Sequence, residues 1–166
     1  MIIANFIFHS PLGQLSIAAD DTHLLAILFV SKNNDAEKMQ QNNCNHPIIK
    51  ECCSQLIEYF NGERKIFDLP INQSGTAFQQ QVWLTLSNIA YGKTISYLTL
   101  SKRINNIKAI RAVGTANGKN KISIVVPCHR VIGTDGSLTG YAGELWRKKW
   151  LLEHEAKNAN GLQTLF

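Results

Sequence analysis

The spacing of apolar residues changes near Gln73-Ser74-Gly75-Thr76, and that change constrains the architecture more than any other feature of the chain. Before it, apolar residues come in short runs of strand length. Residues 2–8 and 14–19 read as strands separated by Ser10-Pro11-Leu12-Gly13, a turn signal, and residues 24–30 (LLAILFV) read as a buried strand. Asn33 to Asn45 is polar and reads as a loop with at most one helical turn. Residues 48–60 place Ile49, Cys52, Cys53, Leu56 and Tyr59/Phe60 at helical spacing, with Gly62 as the stop. Residues 66–71 predict a final strand. The region 1–72 is therefore expected to be a small α+β domain built on an antiparallel sheet.

After the change the pattern is helical. Phe78, Val82, Leu86 and Ile89 form a stripe that ends before Gly92. Ser96 is placed to cap a short helix to about Ile104. A further helix follows Asn105-Asn106 and runs from about Ile107 to Asn117, with Gly118 at its end. Two short helices joined by a tight polar turn fit a helix-turn-helix, and equally any antiparallel helical hairpin. The tail after Glu155 (AKNANGLQTLF) is expected to be poorly ordered in part.

Charge divides the chain at the same point. Residues 1–72 hold five Lys/Arg against eight Asp/Glu, and residues 73–166 hold twelve against four, within a total of +5. A basic second half fits a polyanionic partner or a solvated basic surface. No apolar run is long enough to span a bilayer, and the start (MIIANFIFHSPLG) has no basic leader or small-residue cleavage motif. A cytoplasmic protein without membrane association is expected, with Cys44, Cys52, Cys53 and Cys128 reduced.

The second of the two short helices has an unusual face. Arg111, Gly114, Thr115 and Gly118 fall at i, i+3, i+4 and i+7, while Ala109, Ile110, Ala112, Val113 and Ala116 fill the other sides. Glycine inside a helix costs about 1 kcal/mol relative to alanine, so another surface must approach closely there. That surface is either DNA, with Arg111 as a probe, or a neighbouring helix.

The chemistry concentrates in Ile124-Val125-Val126-Pro127-Cys128-His129-Arg130-Val131-Ile132. An apolar, β-branched run delivers Pro127, which stiffens the backbone, and then Cys128 beside His129 and Arg130. A thiolate is the reactive form of cysteine, and nearby histidine or positive charge favours it. A lone cysteine is otherwise an inert small hydrophobe.

Pro127-Cys128-His129-Arg130 resembles the active-site signature of the O6-alkylguanine-DNA alkyltransferases, the methylated-DNA–protein-cysteine methyltransferases. Gly92-Lys93-Thr94-Ile95-Ser96-Tyr97 is similar to the family segment carrying the pocket tyrosine, and Arg111-Ala112-Val113-Gly114 to its recognition helix. Asn120 lies eight residues before the cysteine, as the family's hinge asparagine does. Gly140-Tyr141-Ala142-Gly143 resembles the loop that closes the pocket, and Trp150-Leu151-Leu152-Glu153-His154-Glu155 the helix with the buried glutamate. These motifs cover nearly all of residues 75–155. The N-terminal half matches only loosely.

The resemblance implies a ribonuclease-H-like N-terminal domain and a mostly helical, winged-helix-like domain over residues 73–166. It implies DNA repair by direct reversal, in which an alkyl group passes irreversibly from O6-alkylguanine in double-stranded DNA to Cys128. O4-alkylthymine is a further possible substrate. The lesion would be flipped out of the duplex from the minor groove, with Arg111 filling the stack and Ala112, Gly114 and Thr115 against the groove. Arg130 is expected among the DNA-contacting groups. Tyr97 would press the backbone outward and hydrogen-bond the guanine. Glu155 would orient His129, which takes the thiol proton through a water, and Asn120 would brace the turn from the recognition helix to an active-site strand. Val131, Tyr141, Ala142 and Gly143 would line the pocket, with the Cys128 and Val131 carbonyls reading the guanine amino group. A monomer without cofactor, consumed in one turnover, is implied.

Departures from the family pattern are Glu144, where many members have a second glycine, and Ser123, proline in some relatives. Some relatives hold zinc in the N-terminal domain. Here Cys44-x-His46 and Cys52-Cys53 do not make a usual zinc pattern, and no metal is expected. Two competing readings are a non-catalytic alkyltransferase-like lesion sensor, against which Cys128 argues, and a Cys-His hydrolase, against which the basic half argues.

Overall fold

The structure is a computed structural model that describes residues 3–31 and 45–159. It forms two compact units: residues up to Gln73 together with Lys121–Ser123, and Ser74–Asn120 together with the residues from Ile124 onward. The expected loop at Asn33–Asn45 lies outside the described residues except at Asn45, as do residue 2 of the first expected strand and residues 160–166 of the tail.

In the first unit, β1 (Ala4–Ser10) and β2 (Gly13–Ala19) form an antiparallel hairpin in which Ser10 faces Gly13. Gly13 takes φ +105°, Ser10 Oγ donates to Gly13 O at 2.7 Å, and the Leu12 amide donates to Ser10 Oγ at 3.1 Å. The Asp20 carboxylate turns the chain by accepting from the amides of Thr22 (2.8 Å) and His23 (2.7 Å). β3 (Leu24–Phe29) then pairs antiparallel with β2, giving the order β1-β2-β3.

Helix α1 (Pro47–Phe60) covers the sheet with Ile49, Cys52, Gln55, Leu56 and Tyr59, its buried face. Proline suits the first turn, where its missing N–H costs nothing, and Gly62 at φ +79° ends the helix as expected. The core is Leu15, Ile17, Leu24, Ile27, Ile49, Leu56 and Tyr59, all without solvent exposure. Burying that apolar surface is the main stabilising term.

Residues 66–71 do not form the expected strand. The buried amide of Gln55 takes both backbone groups of Asp68, donating to its carbonyl and accepting from its N–H, each at 2.9 Å. Only Ile71 forms a bridge, parallel to Leu24. The free edge of β3 is completed from two distant places. Leu24 bonds to Pro70 and Asn72, and Ile27 bonds to Lys121 and Ser123, with Ile122 bridging Ile27. The Gln73 side chain accepts from the Lys121 amide.

In the second unit, α2 (Ala77–Leu86) starts at a reciprocal cap. The Gln79 amide donates to Thr76 Oγ1 at 3.1 Å and the Thr76 amide to Gln79 Oε1 at 3.0 Å. Two-residue strands β4 (Ile95–Ser96) and β5 (Val131–Ile132) pair in parallel. Ser96 caps α3 (Tyr97–Arg103) by accepting from the Thr99 amide at 3.0 Å. Asn105 at φ +58° makes the tight turn. A single 3-10 turn (Ile107–Ala109) leads into α4 (Ile110–Gly118), so the expected helix from Ile107 begins in 3-10 geometry. The indole of Trp83 donates to Ala116 O at 2.9 Å, tying α4 to α2. The result is a mostly helical unit with a helix-turn-helix, α3–α4.

Helix α5 (Leu145–Ala159) closes the second unit and runs past Glu155, where a loose tail is expected from the sequence. Ala159 is seated on Gly92: a Cβ at Gly92, which has φ +75°, would lie 2.4 Å from the Ala159 Cβ. None of the described helices is long and apolar enough to cross a membrane.

Candidate active site

Cys128, His129 and Arg130 form one 3-10 turn, and all three are buried. The run that delivers them is a buried turn, not the expected strand. Its Ile124 stands at φ +72°, a conformation that β-branched side chains rarely adopt. Asn120 brackets that turn. Its Nδ2 donates to Val126 O at 2.8 Å, and the same side chain hydrogen-bonds the Cys128 thiol.

Glu155 reaches the reactive turn from α5. Its Oε1 lies 2.7 Å from His129 Nε2, while Arg130 donates Nε to Oε2 at 2.8 Å and Nη2 to Oε1 at 2.9 Å. Burial raises the Glu155 pKa, but His129 and the Arg130 guanidinium outweigh it and hold the carboxyl well below the usual carboxylate range. Burial also lowers the pKa of His129, against the pull of Glu155, so the imidazole is neutral near pH 7. A neutral imidazole facing a carboxylate must carry its proton on Nε2. Nδ1 then keeps the lone pair, and it has no hydrogen-bond partner among the described residues. Burial pushes the Cys128 thiol up, opposed by Asn120 and by the charge of Lys148. At rest the group is therefore a dry thiol that needs a base.

The expected placement of Arg130 is overturned. The residue is 6% exposed, and its remaining Nη1 donates to Ile89 O at 2.7 Å. Each of its three nitrogens has a partner inside the protein, so the guanidinium is turned inward and not presented at the surface. It is a buried counter-charge that fixes Glu155. The carbonyls expected to read a guanine are also engaged. Cys128 O accepts from the Val131 amide and, at 3.4 Å, from Asn117 Nδ2, and Val131 O accepts from Lys148 at 2.6 Å.

Lys148 is a residue that the sequence reasoning missed. It has no solvent exposure, and its Nζ also donates to Thr139 O at 3.0 Å and Gly140 O at 3.5 Å. Burial lowers its pKa to about 8, with the nearby Cys128 pulling the other way. The readable signal was a lysine at i, i+3, i+7 with Leu151 and Glu155, the buried stripe of α5. The Tyr97 hydroxyl donates to the same Thr139 carbonyl at 3.0 Å, and the ammonium lies 5.8 Å from the Tyr97 ring centroid. Tyr97 and Lys148 together clamp the backbone of residues 139–140. In the following loop Tyr141 is half-buried, Ala142 exposed and Gly143 buried. Glu144 stands at φ +76°, which explains why glycine suits that position, and its carboxylate accepts from the Trp146 indole at 2.7 Å. Val131 is buried beside the reactive turn.

The remaining predicted residues lie apart on the outer face of α4. Arg111, Ala112 and Thr115 are exposed, and Val113, Ala116 and Asn117 face inward. The two glycines decide between the readings of this face. A Cβ at Gly114 would meet only the Tyr97 ring, at an ordinary 3.9 Å, and one at Gly118 would meet nothing within 4 Å. Packing against another helix of the unit does not require them.

Ser123 is buried and spends its amide on Ile27 O at 3.0 Å. A proline there would lose that bond. Of the expected zinc candidates, Cys44 lies outside the described residues, and Cys52 is buried in the face of α1, where burial pushes its thiol up.

Comparison with known proteins places this geometry. Residues 5–73 match the family model of the 6-O-methylguanine DNA methyltransferase ribonuclease-like domain, and residues 77–157 that of the DNA binding domain of the same family. A methylated-DNA–protein-cysteine methyltransferase of Methanosarcina acetivorans is 44% identical over 149 residues, 90% of this chain and 96% of its own. The constitutive one of Bacillus subtilis is 46% identical over 138 residues, 81% of this chain and 83% of its own. The crystal structure of the Mycobacterium tuberculosis O6-methylguanine methyltransferase superposes with TM-score 0.84 at 38% identity, covering 95% of this chain and 94% of that one. A Mycobacterium tuberculosis OGT in complex with DNA gives TM-score 0.84 at 39% identity, covering 93% and 94%.

Proposed function

Because this chain belongs to the 6-O-methylguanine DNA methyltransferase family, we propose that Cys128 is the acceptor on which it carries out that family's alkyl transfer. The activity is that of a methylated-DNA–protein-cysteine methyltransferase: DNA repair by direct transfer of an alkyl group from DNA to the protein. The substrate is O6-alkylguanine in duplex DNA, approached from the minor groove and flipped out of the stack, because a base inside a duplex is beyond reach of a buried thiol. The protein acts as a monomer in the cytoplasm.

The observation that carries the assignment is the buried chain Glu155–His129 beside Cys128. Glu155, kept ionised by Arg130, holds the His129 proton on Nε2 and leaves Nδ1 as the base. Nδ1 takes the Cys128 proton through a bridging water. Sulfur attacks the alkyl carbon, the S–C bond forms as the C–O6 bond breaks, and the electron pair leaves on O6. The guanine recovers the proton. The thioether is a poor alkyl donor, because a thiolate would have to leave from it, so the protein is consumed by one turnover. Tyr97, whose single hydroxyl proton goes to Thr139 O in the free protein, releases that carbonyl to donate to the flipped base. Asn120 fixes the backbone under the thiol, and Arg111 fills the vacated stack. Val131, Tyr141, Ala142 and Gly143 line the base pocket.

Intact-protein mass spectrometry after mixing with a duplex containing one O6-methylguanine tests this. The expected result is a gain of one methyl group, mapped to Cys128 and absent from Cys128→Ser. Tight lesion binding with no mass gain would instead make the chain a lesion sensor.

A further inference from the structure

The outer face of α4 carries more than the small residues and Arg111. Ile107, in the 3-10 turn, and Ile110, the first residue of α4, are 56% and 40% exposed. Ile110 borders the stripe of Arg111, Gly114, Thr115 and Gly118, one turn before Gly114 at i, i+4, and Ile107 stands in the 3-10 turn ahead of it. The stripe is therefore tapered. Its first turn is thick and apolar, and its later turns carry Thr115 beside two glycines, where an added Cβ would meet Tyr97 at 3.9 Å or nothing.

Ile107 and Ile110 are neighbouring apolar side chains left in water at the start of α4, and a pair of that kind fits an apolar occupant. The charges around them say what kind. From residue 69 to residue 134 the chain carries no Asp or Glu, while Lys102, Arg103, Lys108, Arg111 and Lys119 are exposed around α3 and α4. A protein surface would rarely meet that much uncompensated positive charge. A nucleic acid meets it with phosphate and offers an apolar interior between its base pairs.

We infer that Ile107 and Ile110 form an apolar wedge that enters the groove of lesion-bearing duplex DNA next to Arg111. The inference rests on the reading that α4 faces that DNA. The flat end of the stripe lets the duplex approach along Gly114 and Gly118, and the thick end props it open at the adjacent base step. Side chains of this type partly unstack a step and kink the duplex. The wedge assigns two jobs to two kinds of residue. The isoleucines loosen the stack, and Arg111 occupies the space once the nucleotide has left. Sequence dependence follows: a lesion beside a flexible pyrimidine–purine step is repaired faster than one in a stiff A-tract.

The test is the second-order rate of methyl transfer to the Ile107→Ala/Ile110→Ala variant from three donors: a fully paired duplex containing one O6-methylguanine, the same duplex with an abasic site opposite the lesion, and the free O6-methylguanine base. Leu84→Ala, at an apolar residue 70% exposed on a different helix, α2, is the control. The expected result is a rate roughly tenfold lower on the paired duplex, most of it restored by the abasic partner, which has already loosened the stack. The free-base rate and the control stay at the parent level. An unchanged rate on the paired duplex would overturn the wedge. So would an equal loss on all three donors, which signals a damaged pocket, or an equal loss on both duplexes, which signals lost DNA affinity alone. Failure of the parent protein to methylate Cys128 from any donor would be a different result, one that removes the proposed acceptor itself.

Discussion

The reactive turn and the outer face of α4 solve opposite problems within the same unit. At Cys128–Arg130 nearly every polar atom has an answer inside the protein: Glu155 for His129 and Arg130, Ile89 O for the last guanidinium arm, Asn117 and Val131 for the Cys128 carbonyl. On α4 the glycines, the arginine and two isoleucines are left unanswered. Chemistry at a dry thiol needs groups that do not reorganise as charge develops. Recognition of a large outside surface needs the protein's own atoms out of the way. Substitutions should therefore act with opposite sign in the two places.

The largest effect is expected at Glu155. Removing the carboxylate in Glu155→Ala leaves the Arg130 guanidinium buried and uncompensated, which costs on the order of 3–5 kcal/mol. Calorimetry should show a Tm lower by roughly 6–20 °C. A Tm within a few degrees of the parent would mean that the turn is not held by this pair.

Acid comes next. The pKa of His129 is lowered on folding, so below its ordinary value of 6.5 the unfolded chain binds a proton that the folded one refuses. The pKa of Glu155 is also lowered, so below its ordinary 4.5 the unfolded chain again binds the extra proton. Both groups make stability fall as pH falls, by up to about 1.4 kcal/mol per pH unit for each proton. Denaturant titrations from pH 7 to pH 4 should show the loss beginning near pH 6.5 and steepening near 4.5. In His129→Asn the first limb should be missing, and its persistence would assign that limb elsewhere. The α4 face holds no group that titrates in this range.

The smallest and most discriminating contrast is among glycines. Gly114→Ala and Gly118→Ala should each stabilise the protein by about 0.5–1 kcal/mol, because alanine is the better helix former and no neighbour is within clashing distance. They should also weaken duplex binding and slow transfer from DNA. Gly92→Ala should destabilise, since its Cβ would strike Ala159 at 2.4 Å and its φ is +75°. Parallel melting curves and DNA titrations check all three. Stabilised variants that bind duplex as tightly as the parent would return these glycines to an incidental role.

The same contrast explains what was legible in the sequence. The strands, caps and turns rest on neighbours in sequence, so Gly62, Ser96 and Asn105 stood where the structure uses them. Pro127–Arg130 was legible as a contiguous reactive motif, and the α4 face as a periodic one. The support of the site was not. Arg130 looked like one more cation in a basic half because its partners, Glu155 and Ile89 O, are 25 and 41 positions away. Lys148 was hidden because its partners are backbone carbonyls, which carry no sequence signature. Residues 66–71 looked like a strand because nothing local reveals that Gln55 will claim the backbone of Asp68.

The edge of β3 has a consequence for how the chain is made. Half of that edge is completed by Ile71 and its neighbours, and half by Lys121–Ser123, which leave the ribosome some fifty residues later. During synthesis the sheet must therefore wait with Ile27 and its neighbours unpaired, an open template for pairing with another chain. A fragment that stops at residue 72 never receives its last partner. This small sheet is thus a late product of translation, finished only when the stretch of chain leading to Cys128 has been threaded past it.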